Sequence, residues 1–202
     1  MQICGSWGEI VMYGRMAVFL DLQGTLGGEG LGDIRNFTFY PFAILAIKLL
    51  NEANLLAIII TNQSHISKGD FTYDYFHERM TALKNEVEDN GARLDAVYCC
   101  PHSEQDNCTC RKPEPGLVFA AQNDLDLDLG KCYVVGDTGA WDMVLAQSIG
   151  SKKILVRTGL GESSLAEYRH TWANITPDFI AGNVLDAVKW IIADRSVSTA
   201  GK

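Results

Sequence analysis

An α/β fold of three layers, with a central parallel sheet between helices, follows from three features of this sequence. Short apolar runs alternate with segments of helical periodicity along most of the chain. Several of those runs stop at, or just before, a polar residue such as Asp21, Thr61 or Asp137. No low-complexity tract, internal repeat or linker rich in Pro, Gly or Ser divides the 202 residues, so one domain is expected.

The elements come in a regular order. AVFLD (17–21) is a short buried-strand run, PFAILAIKLLNEAN (41–54) has helical periodicity, and LLAIIIT (55–61) is an apolar strand. Residues 71–91 read as a long amphipathic helix closed by a glycine, with Asp70 or Thr72 near its start. LDAVYCC (94–100) is strand-like and leads into a polar loop bearing cysteines. Residues 115–124 can be helical, 131–137 form a strand, 140–150 a helix, 152–159 a strand and 184–194 a closing helix. Alternating strands and helices imply right-handed crossovers and a sheet covered on both faces. The expected organisation is an N-terminal extension over 1–15, a folded domain over 16–195 and a disordered tail over 196–202.

Composition narrows the function classes. A net charge of -8 argues against nucleic acid or an anionic membrane surface as the main partner. No apolar stretch approaches the length of a membrane-spanning helix, and MQICGSWGEIVMYGR lacks the pattern of a secretory signal. A cytoplasmic protein is expected, with its six cysteines reduced or bound to metal.

In such sheets ligands bind beyond the carboxyl ends of the strands. Asp21, Thr61, Arg111 and Asp137 fall at or just after expected strand ends, so the fold brings them to one rim. A carboxylate followed by Gly24 and Thr25 can attack phosphorus and form an aspartyl-phosphate, although a turn or cap is the commoner use of a lone Asp. TNQS (61–64) offers a hydroxyl and amides to phosphate oxygens. RKP (111–113) supplies fixed positive charge. GDTGAWD (136–142) carries two carboxylates suited to a hard divalent cation. TNQS alone reads equally well as a polar strand-to-helix turn, and RKP by itself as a solvated loop. Their order and shared position give them weight.

With these residues the chain resembles the haloacid dehalogenase (HAD) superfamily of phosphohydrolases, whose four motifs match Asp21–Thr25, Thr61–Ser64, Lys112 and Asp137–Asp142. TNQS, CTCRKPEPG (108–116), YCCPH (98–102) and VRTG (156–159) are similar to the subgroup of heptose-bisphosphate phosphatases and histidinol-phosphatases. The resemblance implies a Rossmann-like fold with no large cap domain, and a flap at roughly 26–39. It implies Asp21 as nucleophile and Mg²⁺ held by Asp21, the Gln23 main-chain carbonyl and Asp137, with Asp142 as a ligand or just behind. Thr61, Asn62 and Gln63 would bind the phosphoryl group, Lys112 would oppose its charge, and Arg111 would reach the substrate. A small phosphorylated metabolite is the implied substrate, and a monomer is expected. The last motif has four residues between its aspartates, where close relatives usually have three.

Cys100, His102, Cys108 and Cys110 form two pairs, each separated by one residue. Such pairs can meet one tetrahedral Zn²⁺, against the plainer reading of reduced structural thiols. The resemblance also implies a structural zinc over 100–110. Cys99 is expected to face the other side of its strand.

Gln23 departs from the superfamily pattern, which usually has an aspartate there as general acid and base. Three readings stay open: a slowed phosphatase, with His65 as a rescuing group or only a turn residue; a phosphotransferase; and a non-catalytic phosphosugar binder. The first is favoured, because every other motif residue is kept.

Overall fold

A computed structural model of the chain describes residues 14–200. Six parallel strands form one sheet: β1 (Ala17–Leu20), β2 (Leu56–Asn62), β3 (Ala96–Cys100), β4 (Tyr133–Gly136), β5 (Lys152–Val156) and β6 (Phe179–Ala181). Their spatial order is β3-β2-β1-β4-β5-β6. The expected three-layer α/β architecture is therefore the one observed.

Every residue of β1 is buried, as a central parallel strand requires. Side chains alternate between two cores. Val18, Leu20, Ala57, Ile59 and Val135 enter one, while Ala17, Phe19, Ile58, Ile60 and Val134 enter the other. The first core is covered by α1 (Ala43–Glu52), α2 (Tyr73–Asp89) and α6 (Val184–Ala200). The second is covered by α3 (Gly116–Leu125) and α4 (Val144–Ser148). Cys99 packs against the first core and Cys100 lies in the second, on opposite sides of β3 as expected.

Thr72 caps α2, its hydroxyl accepting the Tyr75 N–H at 3.1 Å. Two short elements carry no periodic signal and escape sequence reading: the three-residue β6 and the five-residue α5 (Gly161–Leu165). At the other end α6 runs past Asp194 to Ala200, so the segment expected to be disordered from 196 is helical to that point. Arg195 ties this end to the rest of the domain by donating to the Ala53 carbonyl. Residues 201 and 202 lie outside the described residues, as do 1–13 of the expected N-terminal extension.

The flap expected at 26–39 is a tied loop. Gly27 bridges Phe39, the Tyr40 N–H donates to Leu26 O at 2.9 Å, and the Tyr40 hydroxyl donates to Gly28 O at 2.7 Å. Among the described residues no helix is long and apolar enough to cross a membrane.

Candidate active site

Strand order reverses between β1 and β4, and in open parallel sheets that switch point opens a crevice at the carboxyl ends. Asp21 directly follows β1 and Asp137 directly follows β4. The Asp21 N–H donates to Val135 O at 3.0 Å, which sets the two strand ends level. Gly24 turns the chain back with φ of +79°, and a Cβ there would lie 2.0 Å from Asp137 Oδ2. Only glycine permits this approach.

Lys112 arrives from the loop after β3 and is 2% exposed. Its ammonium donates to Asp21 Oδ1 at 2.6 Å and to Asp142 Oδ1 at 2.7 Å. Asn62 holds that loop in place: its amide donates to Lys112 O at 3.1 Å and its Oδ1 accepts the Lys112 N–H at 2.9 Å. The Asn62 side chain thus braces the lysine and has both ends engaged.

The extra residue in GDTGAWD is absorbed by a π turn over Gly139–Met143, which leads directly into α4. Gly139 allows it, since a Cβ would lie 2.0 Å from the buried Trp172 ring. The turn returns Asp142 to the rim. Its Oδ2 accepts the Thr138 N–H at 3.0 Å and the Thr138 hydroxyl at 2.8 Å, while Oδ1 faces Lys112. With both oxygens taken by protein donors, Asp142 orients the lysine. Asp137 accepts the Leu160 N–H at 2.8 Å, and the Thr138 hydroxyl, whose one proton it shares with Asp142, lies 3.2 Å from its Oδ1. Thr138 and the Leu160 amide were not singled out in the sequence. Their positions, right after Asp137 and right after VRTG, are the only signals there.

Carboxylate oxygens of Asp21, Asp137 and Asp142 lie within 4.8 Å of one another. Burial pushes the Asp21 carboxyl up to about 6, Lys112 opposes this and Asp142 adds to it. Burial, then Asp21 and Asp142, raise Asp137 well above the carboxylate range. Burial alone would lower the Lys112 ammonium, but Asp142 and Asp21 outweigh it and hold it high. Three carboxylates against one ammonium leave negative charge in excess, and oxygen donors in that state fit a hard divalent cation.

The same crowding sets a pH dependence. A carboxyl raised in the folded state binds its proton more tightly there than unfolded. Its contribution is intact below the ordinary 3.8 and is lost as pH rises through the raised value. In magnesium-free buffer, Asp137→Asn is therefore expected to be more stable than wild type at neutral pH. The advantage should shrink as pH falls toward 3.8. Thermal midpoints at several pH values check this, and a gap independent of pH would contradict it.

Gln23, 6% exposed, is fixed by its neighbours. Its Oε1 accepts the Thr61 hydroxyl at 3.2 Å and the Gln63 amide at 3.0 Å, and Gln63 also donates to Thr61 Oγ1 at 2.8 Å. No titratable group takes part in this cluster. His65 is occupied elsewhere, its Nδ1 2.7 Å from Asp70 Oδ2 and its ring stacked on Phe71.

Cys100, His102, Cys108 and Cys110 converge within 4.8 Å. Their sulfurs lie 3.1, 3.5 and 3.6 Å apart, and His102 Nδ1 is 3.2 Å from Cys110 Sγ. Zn–S bonds of about 2.3 Å in a tetrahedron put sulfurs about 3.8 Å apart, so a slight expansion would seat a zinc ion. Arg111 follows directly, donating to His102 O at 3.3 Å and lying 5.7 Å from the Trp141 ring centre. It borders a polar cavity of about 310 Å³ together with Lys112, Ser103, Glu104, Asn107 and Trp141.

A parallel sheet gathering these groups at its switch point defines an α/β phosphohydrolase. A family model described as HAD-hydrolase-like matches residues 109–187. The D-glycero-beta-D-manno-heptose-1,7-bisphosphate 7-phosphatase of Yersinia pestis is 36% identical over 167 residues, 77% of this chain and 88% of that protein. The Escherichia coli K12 protein of the same name is 34% identical over 167 residues, covering 77% and 86%. The crystal structure of D,D-heptose 1,7-bisphosphate phosphatase from B. bronchiseptica, complexed with magnesium and phosphate, superimposes with a TM-score of 0.79. It is 24% identical and covers 89% of this chain and 99% of that one. The chain belongs to the HAD-like phosphatases, a family of phosphoric monoester hydrolases, and its relatives there are named as heptose bisphosphate phosphatases.

Proposed function

We propose that this chain hydrolyses a phosphomonoester of a small phosphorylated metabolite, a heptose-type sugar bisphosphate first among them. The observation that carries this reading is the buried Lys112 fixed between Asp21 and Asp142, with Asp137 alongside. Asp21 attacks phosphorus through a carboxylate oxygen, the ester oxygen departs, and the phosphoryl group rests on Asp21 until water displaces it. Lys112 holds the nucleophile's other oxygen and offsets charge on the incoming phosphoryl group. Thr61 and the main chain of 61–63 line the phosphoryl position, while Arg111 faces the cavity that would take the rest of the substrate.

Asp21, Asp137 and the Gln23 carbonyl would hold Mg²⁺, with Asp142 behind them. When bound, the ion supplies positive charge against the phosphoryl oxygens. A structural zinc on Cys100, His102, Cys108 and Cys110 would shape the loop that delivers Arg111 and Lys112. Gln23 gives a second reading its support. An amide can neither protonate the leaving oxygen nor activate water, so the phosphorylated Asp21 could pass its group to another acceptor.

One experiment tests both parts. The purified chain is expected to contain one zinc and to release phosphate from sugar bisphosphates only when Mg²⁺ is added. Histidinol phosphate should be a poorer substrate. A chain inert on the whole panel that still binds phosphate ligands would be a binder and not a phosphatase.

A further inference from the structure

A second cavity, of about 230 Å³, shares Trp141 with the polar cavity. Its walls include Leu31 of the flap, Ala140 and Trp141 of the π turn, Leu160 and Tyr168. It adjoins the site: Thr138 and Leu160, both on its wall, hydrogen-bond Asp137.

Most of the wall is apolar, and its hydroxyls are engaged with the protein. Ser164 Oγ accepts the Gly139 N–H at 2.7 Å, and the Thr171 hydroxyl donates to Tyr168 O at 2.7 Å. The Thr138 hydroxyl serves Asp142 and Asp137. A sugar hydroxyl entering here would shed water and find few partners, which is unfavourable. An apolar group gains by entering. Leu31 is 68% exposed and Tyr168 51%, so a ligand would cover large apolar side chains that otherwise face solvent. Trp141 stands on the π turn that takes up the extra residue of GDTGAWD.

We propose that this cavity is a leaving-group subsite for a flat, neutral, apolar ring. The enzyme would then accept phosphomonoesters carrying such a ring within a few bonds of the phosphate, beyond bare sugar phosphates. The proposal rests on the phosphatase reading for its kinetics but not for its binding. The cavity is smaller than the usual 300 to 1,000 Å³ range for drug-sized ligands, so about one ring is its capacity.

Two measurements on the magnesium-loaded, full-length chain test it. In the first, kcat/KM is compared for 2-phenylethyl phosphate and ethyl phosphate. In the second, titration calorimetry compares benzylphosphonate with methylphosphonate, neither of which can be hydrolysed. The ring compound of each pair is expected to be favoured by about tenfold or more. Leu31→Glu and Tyr168→Ala, both at exposed positions, should each cut that preference severalfold. If neither ester is turned over but benzylphosphonate still binds preferentially, and Leu31→Glu removes the preference, the subsite stands and the phosphatase reading falls. If esters are hydrolysed with no ring preference and the phosphonates bind equally or not at all, the subsite falls and the phosphatase reading stands. A ring preference that survives both substitutions also overturns the subsite.

Discussion

Gln23→Asp is expected to raise kcat on a sugar phosphate by about two to four orders of magnitude, the usual contribution of general acid–base help. Gln23 already sits where such a group must be, two residues after Asp21, buried and facing Thr61 and Gln63. A carboxyl there keeps the same two donors available and adds a proton that can move. The leaving-group dependence separates this from a mere change in packing. In wild type the departing oxygen receives no proton from residue 23, so rates should fall steeply as the leaving alcohol becomes less acidic. In Gln23→Asp that dependence should flatten, and the pH–rate profile should gain a limb from the new carboxyl. Equal rates and equal slopes in the two proteins would mean another group already moves the proton. His65 would be the first to examine, although its bond to Asp70 and stacking on Phe71 hold it in its own turn.

The sequence makes β1, β2 and β4 legible because interior parallel strands are buried on both faces and read as apolar runs, and β3 and β5 keep enough of that pattern although they are only partly buried. Phe179–Ala181 and Gly161–Leu165 are too short for any period to emerge, and tertiary context alone makes them regular. The site divides in a similar way. Asp21, Thr61, Lys112 and Asp137 are readable because topology sends strand ends to one rim whatever their side chains do. Which partner each side chain takes is not readable. Asn62 and Gln63, expected at the phosphoryl group, put their side chains on the Lys112 main chain and on Gln23 and Thr61. The bonds to Lys112 and Gln23 join residues 50 and 40 positions apart, and no local pattern encodes them. The spare residue between Asp137 and Asp142 is visible as a count, but its absorption as a π turn depends on the space beside Trp172 that Gly139 leaves open.

Lys112→Met is expected to destabilise the magnesium-free protein by about 3 to 5 kcal/mol at neutral pH, the range for removing one partner of a buried ion pair. Methionine fills similar volume and leaves Asn62 its two main-chain bonds, so the change is mostly one of charge. Asp21 and Asp142 would then face each other at the rim with no cation between them, and Asp137 nearby. Asp142 keeps the Thr138 donors on Oδ2 but loses the Lys112 ammonium on Oδ1. Activity should vanish as well, because the nucleophile loses the donor that fixes its orientation. Two controls make the cause identifiable. Acidification should narrow the stability gap, since protonating the carboxylates removes their need for a counter-charge. Added Mg²⁺ should stabilise the variant more than wild type, because a divalent cation can replace part of the missing charge. Urea midpoints measured across pH, with and without the ion, decide the matter. A gap that persists unchanged into acid, and that the ion does not narrow, would assign Lys112 to packing and remove the electrostatic reason for its place beside Asp21.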